Sequence, residues 1–258
     1  MLLTLKLLLV PGLIAAVSLA TRRWGPRIGG WLTGMPLVAG PALFFIAVEQ
    51  GDAFAGQAAG ATLVALIGVA AFALTYGRLC RRAPWPTALS VSSAVFLITT
   101  LVLNRLGWNP LVALGAAMAS FAIAQWCLPI DRGGHPMGRS PTWDLPLRMV
   151  AAVALLLSVT HLAETLGPTL TGALTPFPVA LSILVVFTHS QAGAATVIRF
   201  LRAFLPAMWS FALFCFVVSV TTVTAGRYLA FAIALVVQLV VHGLILWRTT
   251  SRPGPDPA

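Results

Sequence analysis

Two copies of one short motif carry the residue types best suited to holding a ligand inside a membrane. Each copy ends with a threonine and a proline, and the equivalent residues are 142 positions apart. The candidate ligand-contacting residues are Thr33, Gly34 and Pro36 in the first copy and Thr175, Pro176 and Pro178 in the second. Each copy lies in an apolar segment, where a proline removes a helical hydrogen bond. A broken helix with a hydroxyl beside it makes a small polar site in apolar surroundings, as transporters use.

The repeat extends beyond the prolines. Residues 25–51 and 167–193 share eight identities in 27 positions, and most of them are glycine or proline. We expect the carbonyl oxygens of Leu32 and Leu174, one turn before each proline, to be left without a donor. Pro36 and Pro178 are expected to approach each other near the bilayer centre. The alternative is a pair of kinked helices that only pack together.

Gln238 and His242 are polar residues in an otherwise apolar segment. They are four residues apart and therefore share one face of a helix, with Gln238 near the membrane midplane. Polar groups at this depth mark either a substrate path or an interhelical hydrogen bond. Both interpretations stay open from the sequence, and we include the pair among the candidate substrate-binding residues.

The composition indicates a polytopic membrane protein. Hydrophobic residues make up 59% of the 258 residues and charged residues only 9%, whereas a soluble domain carries about 25% charged residues. The arginines lie at the ends of apolar runs, so the net charge of +10 reflects membrane orientation and not nucleic-acid binding. Cys80, Cys127 and Cys215 lack the spacing of a metal site or a disulfide framework. The sequence contains no recognisable catalytic motif, so we predict that the protein is not an enzyme and binds no cofactor.

Nine apolar segments are long enough to cross a membrane and predict an all-α fold. They lie near 2–20, 28–48, 53–77, 87–104, 110–129, 147–166, 169–188, 195–223 and 228–247. The first is interpreted as a retained helix and not as a signal peptide, because it aligns with the sixth at the same offset. We divide the chain into a first four-helix repeat (1–104), a linking helix and loop (105–146), a second repeat (147–248) and a disordered tail (249–258).

The basic residues orient the segments. With the N-terminus outside, 13 of the 16 basic residues fall on the cytoplasmic side, whereas Lys6, Arg105 and Arg227 stay outside. This pattern predicts a multi-pass protein of the bacterial inner membrane with its C-terminus inside. Because five segments separate equivalent positions, the second repeat must run upside down relative to the first, which is the architecture of many transporters.

The residues Leu174–Leu181, and more loosely Gly30–Leu37, resemble the small bacterial inner-membrane proteins of the GlpM type and related four-helix families of unknown function. The resemblance implies a duplicated and fused version of a half-sized unit. That family has been linked to alginate production, but the resemblance transfers no catalytic or binding residue.

The sequence therefore favours a transporter of a small molecule or a lipid-linked envelope precursor, with a site between the two broken helices. The alternative is a non-transporting accessory protein that scaffolds envelope or exopolysaccharide assembly. The bilayer is the one certain partner, and the sequence leaves homo-oligomerisation open.

Topology can be tested by labelling. A reporter fused after Ala258 should be cytoplasmic, and a cysteine replacing Asp52 should react with an impermeant thiol reagent from the periplasm, because the basic residues place these sites on opposite sides. The reverse labelling pattern would contradict the orientation and the inverted repeat together.

Overall fold

The computed structural model describes residues 2–36, 39–130, 143–165 and 177–250. Within these ranges every regular element is an α-helix, and no strand occurs. In chain order the helices are α1 Leu2–Trp24, α2 Pro26–Thr33, α3 Ala39–Gln50, α4 Asp52–Leu79, α5 Trp85–Asn104, α6 Pro110–Cys127, α7 Asp144–Thr165, α8 Val179–Ala225 and α9 Arg227–Thr250.

Five of the described helices are long and apolar enough to span a bilayer: α4, α5, α6, α8 and α9. The predicted all-α polytopic membrane fold is therefore confirmed. α8 runs for 47 residues but is broken at Gly193, whose φ of 74° and ψ of 176° are not helical. Its two parts, 179–192 and 194–225, overlap the predicted segments near 169–188 and 195–223, and residues 166–176 lie outside the described ranges.

Helix boundaries recur at the offset of the sequence repeat. Adding 142 to the first residues of α1, α4 and α5 gives 144, 194 and 227, where α7, the second part of α8 and α9 begin. The helices α4 and 194–225 are each preceded by a glycine with positive φ, 91° at Gly51 and 74° at Gly193. Glycine adopts this conformation without strain, which explains why it occupies both positions. α6 has no counterpart.

Helices at equivalent positions run in opposite directions. Gly56, near the start of α4, lies against the carbonyl oxygen of Ser219, near the end of α8, and a β-carbon there would be 3.4 Å from it. Gly77, near the end of α4, instead packs against Leu201. α4 is therefore antiparallel to 194–225.

The segment predicted near 28–48 is two helices, α2 and α3, with Gly34, Met35 and Pro36 between them. One detail of the prediction is wrong: the carbonyl of Leu32 is not left open. The backbone N–H of Met35 donates to it at 3.1 Å, because the last turn of α2 tightens to an i→i+3 bond when the i+4 donor is missing. Leu174 lies outside the described residues.

Glycines bring α2 into close contact with α8. A β-carbon on Gly30 would collide with the carbonyl oxygen of Phe200, and one on Gly34 would collide with the side chain of Ala207. Such small residues let two backbones approach, which is how helices gain packing energy in lipid. The contact with α8 continues beyond the break, since Gly40 in α3 lies against Phe214.

Gly30→Ala should therefore destabilise the protein by about 1–3 kcal/mol, because the backbone of α8 must move to admit the methyl group. Gly60→Ala is the matched control. A β-carbon on Gly60 would meet no atom within 4 Å, so the helix-propensity gain of about 1 kcal/mol should dominate. Thermal unfolding in detergent measures both variants, and equal melting temperatures would contradict the close contact.

Candidate functional site

A buried polar network joins α8 to α9 at the centre of the membrane-spanning region. The amide Nε2 of Gln238 donates to Ser210 Oγ at 3.0 Å, and Ser210 Oγ lies 2.8 Å from His242 Nδ1. All three side chains are at most 1% exposed. Gln238 is the twelfth of 24 residues in α9, which places the network near mid-helix.

Trp31 of α2 closes the network from the side of the helix break. Its indole N–H donates to the carbonyl oxygen of His242 at 3.1 Å, and the two rings are 4.3 Å apart at an interplanar angle of 31°. Gly34, one turn further along α2, packs on Ala207, whose carbonyl accepts the hydroxyl hydrogen of Ser210 at 2.7 Å. The break in α2–α3 and the polar residues of α9 are thus parts of one region.

Two acceptors in this network are left without a hydrogen-bond partner. Ser210 has one hydrogen, and with that hydrogen donated to Ala207 its oxygen must accept from His242 Nδ1–H. His242 Nε2 then carries a lone pair. This nitrogen and Gln238 Oε1 are both buried without a partner among the described residues. Two open acceptors one helical turn apart could receive hydrogen bonds from a small donor molecule.

The predicted site residues divide into four groups. Gly34, Gln238 and His242 are brought together, and Pro36 lies just beyond Gly34 in the break. Thr33 does not serve the break, because its hydroxyl donates to the carbonyl of Gly29 in its own helix at 2.7 Å. Thr175 and Pro176 lie outside the described residues. Pro178 precedes α8 as its N-cap, and its approach to Pro36 stays a prediction.

Ser210 and Trp31 were not predicted as site residues, although the repeat contains a clue to Ser210. Subtracting 142 from Ser210, Gln238 and His242 gives Gly68, Phe96 and Thr100. A β-carbon on Gly68 would lie 2.6 Å from Thr100 Oγ1 and 3.1 Å from the Phe96 ring. The two halves thus make the same contact, which is polar only in the second half.

A separate crevice opens at the end of the molecule predicted to face outward. Its volume is about 440 Å³, within the range of small-molecule sites. Along α4 it extends from Ala53 to Val64, which is about 16 Å at 1.5 Å per residue. The lining residues are Ala53, Gly56, Gln57, Gly60, Ala61, Val64, Asn104, Gly107, Trp108, Pro110, Ser219 and Val223.

The crevice and the polar network lie on opposite faces of α8. Ser219 lines the crevice, whereas Ser210 faces α9. Their separation of nine positions corresponds to two and a half helical turns, or roughly 180°. In this conformation the body of α8 separates the two features.

The opposite, inner end of the α4–α8 pair is filled by the C-terminus of α6. The guanidinium of Arg202 donates to the carbonyl oxygens of Gln125 at 3.3 Å and Leu128 at 3.1 Å. Gln125 donates back to the carbonyl of Arg202 at 3.3 Å, and Arg78 donates to the carbonyl of Cys127 at 3.3 Å. Cations at a helix C-terminus satisfy its open carbonyls and its negative dipole end. We call these contacts the α6 clamp.

A second buried ionic cluster ties α1 to α7 at the same inner end. Asp144 is fully buried and accepts from Arg22, from Gln191 and from Arg148 Nε, the last at 2.8 Å. Arg148 also donates to the amide oxygen of Gln191 at 3.1 Å. Removing one member would leave a buried charge without its partner. In the described ranges no three His, Cys, Asp or Glu side chains converge as a metal site would require.

Comparison with known proteins gives one partial match. The chain is 34% identical over 116 residues to the cobalamin biosynthesis protein CobD of Chromobacterium violaceum, and the match covers 42% of this chain. The chain spans about a third of that relative's length, 34%. No family model matches the chain, and no solved structure matches it. The resemblance to the GlpM type stays a prediction.

Ser210→Ala should lower the free energy of unfolding by about 1–3 kcal/mol, because it leaves Gln238 Nε2 and His242 Nδ1 buried without a partner. Ser158→Ala removes a hydroxyl that also bonds within its own helix, to the carbonyl of Ala154, but is exposed. The control should change stability by less than about 0.5 kcal/mol. Detergent-solubilised protein unfolded by heat provides the comparison, and similar losses in both variants would refute the network's contribution.

Proposed function

We propose that the protein transports a small molecule across the bacterial inner membrane by opening two symmetry-related crevices in turn. One observation carries this proposal: the outer crevice extends along α4 as far as Val64, whereas at the equivalent inner position the α6 clamp occupies the space beside Gly77. The cavity that remains on the inner side lies beyond the clamp, at Arg78, Arg81 and Arg82. A protein that alternates between two such states exposes a site to each side of the membrane.

The proposed architecture is an inverted-topology repeat. One half contains α1 to α5 and the other half contains α7 to α9. The repeated helix starts, the shared conformation of Gly51 and Gly193 and the antiparallel course of α4 and 194–225 all support it. Two halves related by an axis in the membrane plane can exchange conformations, because each state of one half is available to the other.

The repeat also identifies the inner counterpart of the crevice. Gly60, Ser219 and Val223 line the outer crevice, and the offset of 142 relates them to Arg202, Gly77 and Arg81. Arg202 holds the carbonyls of α6, and Gly77 is in contact with Leu128 just beyond α6. These contacts support the proposal that α6 closes the inner crevice. Gly51 and Gly193 are the proposed hinges, since each separates two helices without strain.

The residues that we propose to contact the substrate are Gly34 and Pro36 at the first helix break, Thr175, Pro176 and Pro178 in the second copy of the motif, and the polar pair Gln238 and His242. Two of them, Gln238 and His242, present the open acceptors described above. These acceptors favour a substrate with hydrogen-bond donors, whether a small solute or the headgroup of a lipid-linked precursor. The substrate would reach them only after α8 has moved.

A second candidate function is favoured by one observation. α2 packs on α8 through glycines, with contact between backbone and backbone at Gly30 and Phe200. A non-transporting accessory protein that scaffolds envelope or exopolysaccharide assembly would have such dry contacts. The match to the cobalamin biosynthesis protein CobD covers only 34% of that protein. It therefore favours neither function.

Thiol labelling distinguishes the two functions without a known substrate. Gly60→Cys places a thiol in the outer crevice, where a side chain fits without collision. An impermeant maleimide should label it from the periplasm. Adding Arg202→Met removes the hydrogen bonds of the α6 clamp and should shift the equilibrium toward the inward-open state by roughly tenfold. Periplasmic labelling of Gly60→Cys should then slow in proportion to the loss of the outward-open population.

Arg105→Met is the matched control, because Arg105 caps α5 at the predicted outer end, away from the clamp. The native Cys80 and Cys215 are buried, and Cys127 lies at the inner end of α6, so wild-type protein should label weakly. Equal labelling rates with and without Arg202→Met, in protein that is still folded, would favour the scaffold.

A further inference from the structure

We propose that the cavity at the inner end of α4 is a binding site for a phosphate-bearing anion. This cavity has a volume of about 520 Å³ and is lined by Arg78, Arg81, Arg82 and Pro129. It lies between the end of α4 and the residues that follow α6. The site is distinct from the polar network and would bind its ligand whether or not the protein transports anything.

Three of the four lining residues are arginines within five positions of the chain. Arginine presents a planar fork of N–H donors that matches the oxygens of a phosphate. Arg81 and Arg82 follow directly after α4 and are exposed. Among the described residues neither guanidinium has a hydrogen-bond or ion-pair partner.

A fourth arginine, Arg202, binds the chain directly before the lining residue Pro129. Arg202 reaches the carbonyl of Leu128, next to Pro129, and Arg78 reaches the carbonyl of Cys127. The chain after α6 is therefore held between two guanidinium groups. These contacts fix the wall of the cavity and concentrate cationic charge around it.

No carboxylate among the described residues neutralises this charge. Asp144 is engaged by Arg22 and Arg148, and Asp52 pairs with Arg227 in α9. Neither carboxylate is among the residues that line the cavity. An arginine cluster of this kind on the cytoplasmic side of a membrane attracts anionic headgroups. Ordinary snorkelling to the lipid surface accounts for single arginines but not for their convergence on one cavity.

The phosphate could belong to an anionic lipid or to a soluble anion, because both present the same oxygens to arginine. A lipid would enter from the cytoplasmic leaflet, whereas a free anion would enter from solution. The experiment therefore uses one probe for each source: phosphatidylglycerol, with phosphatidylcholine as the zwitterionic comparison, and inorganic phosphate.

Native mass spectrometry of the full-length protein in neutral detergent counts retained phosphatidylglycerol, and tryptophan fluorescence follows a titration with inorganic phosphate. The test variant is Arg81→Gln with Arg82→Gln, neither of which breaks a described hydrogen bond. The control is Arg23→Gln with Arg27→Gln, which removes the same charge from exposed arginines predicted to lie on the same membrane face.

The proposal expects the wild type and the control to bind at least one of the two probes, and the test variant to bind it roughly 10- to 100-fold more weakly. Preference for phosphatidylglycerol over phosphatidylcholine, without binding of inorganic phosphate, identifies a lipid site. Binding of inorganic phosphate identifies a soluble anion. Equal binding by test and control variants, or no binding by the wild type, would overturn the proposal. Gel filtration of each variant verifies that it is folded.

Discussion

The antiparallel packing of α4 against residues 194–225 of α8 is the contact on which the other helices depend. Phe72 and Tyr76 of α4, and Phe200, Leu201 and Leu205 of α8, are fully buried. Since lipid is as apolar as these side chains, the helices are held by close packing and not by exclusion of water. Gly56 and Gly77 bring α4 close to α8 at its two ends. α5, α6 and α9 pack around this pair and leave more of their surface toward lipid.

Polar contacts fix the relative positions of helices that apolar packing alone would leave free to shift. The clamp of Arg202 and Gln125 fixes the inner end of α6, and the pair of Asp52 with Arg227, at 2.8 Å, joins the starts of α4 and α9. The network of Ser210, Gln238 and His242 fixes α9 on α8. In an apolar medium an unsatisfied partner is costly, so each of these contacts selects a particular helix position. In the proposed alternation the clamp is the contact that must break, since it lies at the opposite end from the crevice.

Much of the fold could be predicted from the sequence because membrane helices have a length fixed by the bilayer. The segment predicted near 53–77 is α4, Asp52–Leu79, and the repeated Gly51 and Gly193 marked two helix starts. Side-chain partners were harder to predict. Ser210 is 32 residues from His242, and a serine in an apolar helix has no pattern that reveals its partner. Leu32 was predicted wrongly because the periodic helix rule ignores the tighter bond from Met35.

The role of α6 could not be inferred from periodicity either, because the C-terminus of α6 binds Arg202 and Arg78 through its own backbone carbonyls, which every sequence contains. Alternation of the two crevices is the central claim, and a distance across the outer mouth tests it most directly. Spin labels at Leu106 and Val223, both exposed beside the crevice, can be measured by pulsed electron resonance in liposomes. We expect two distance populations, the shorter one enriched when Arg202 is replaced by Met. A single distance that this replacement leaves unchanged would contradict the account.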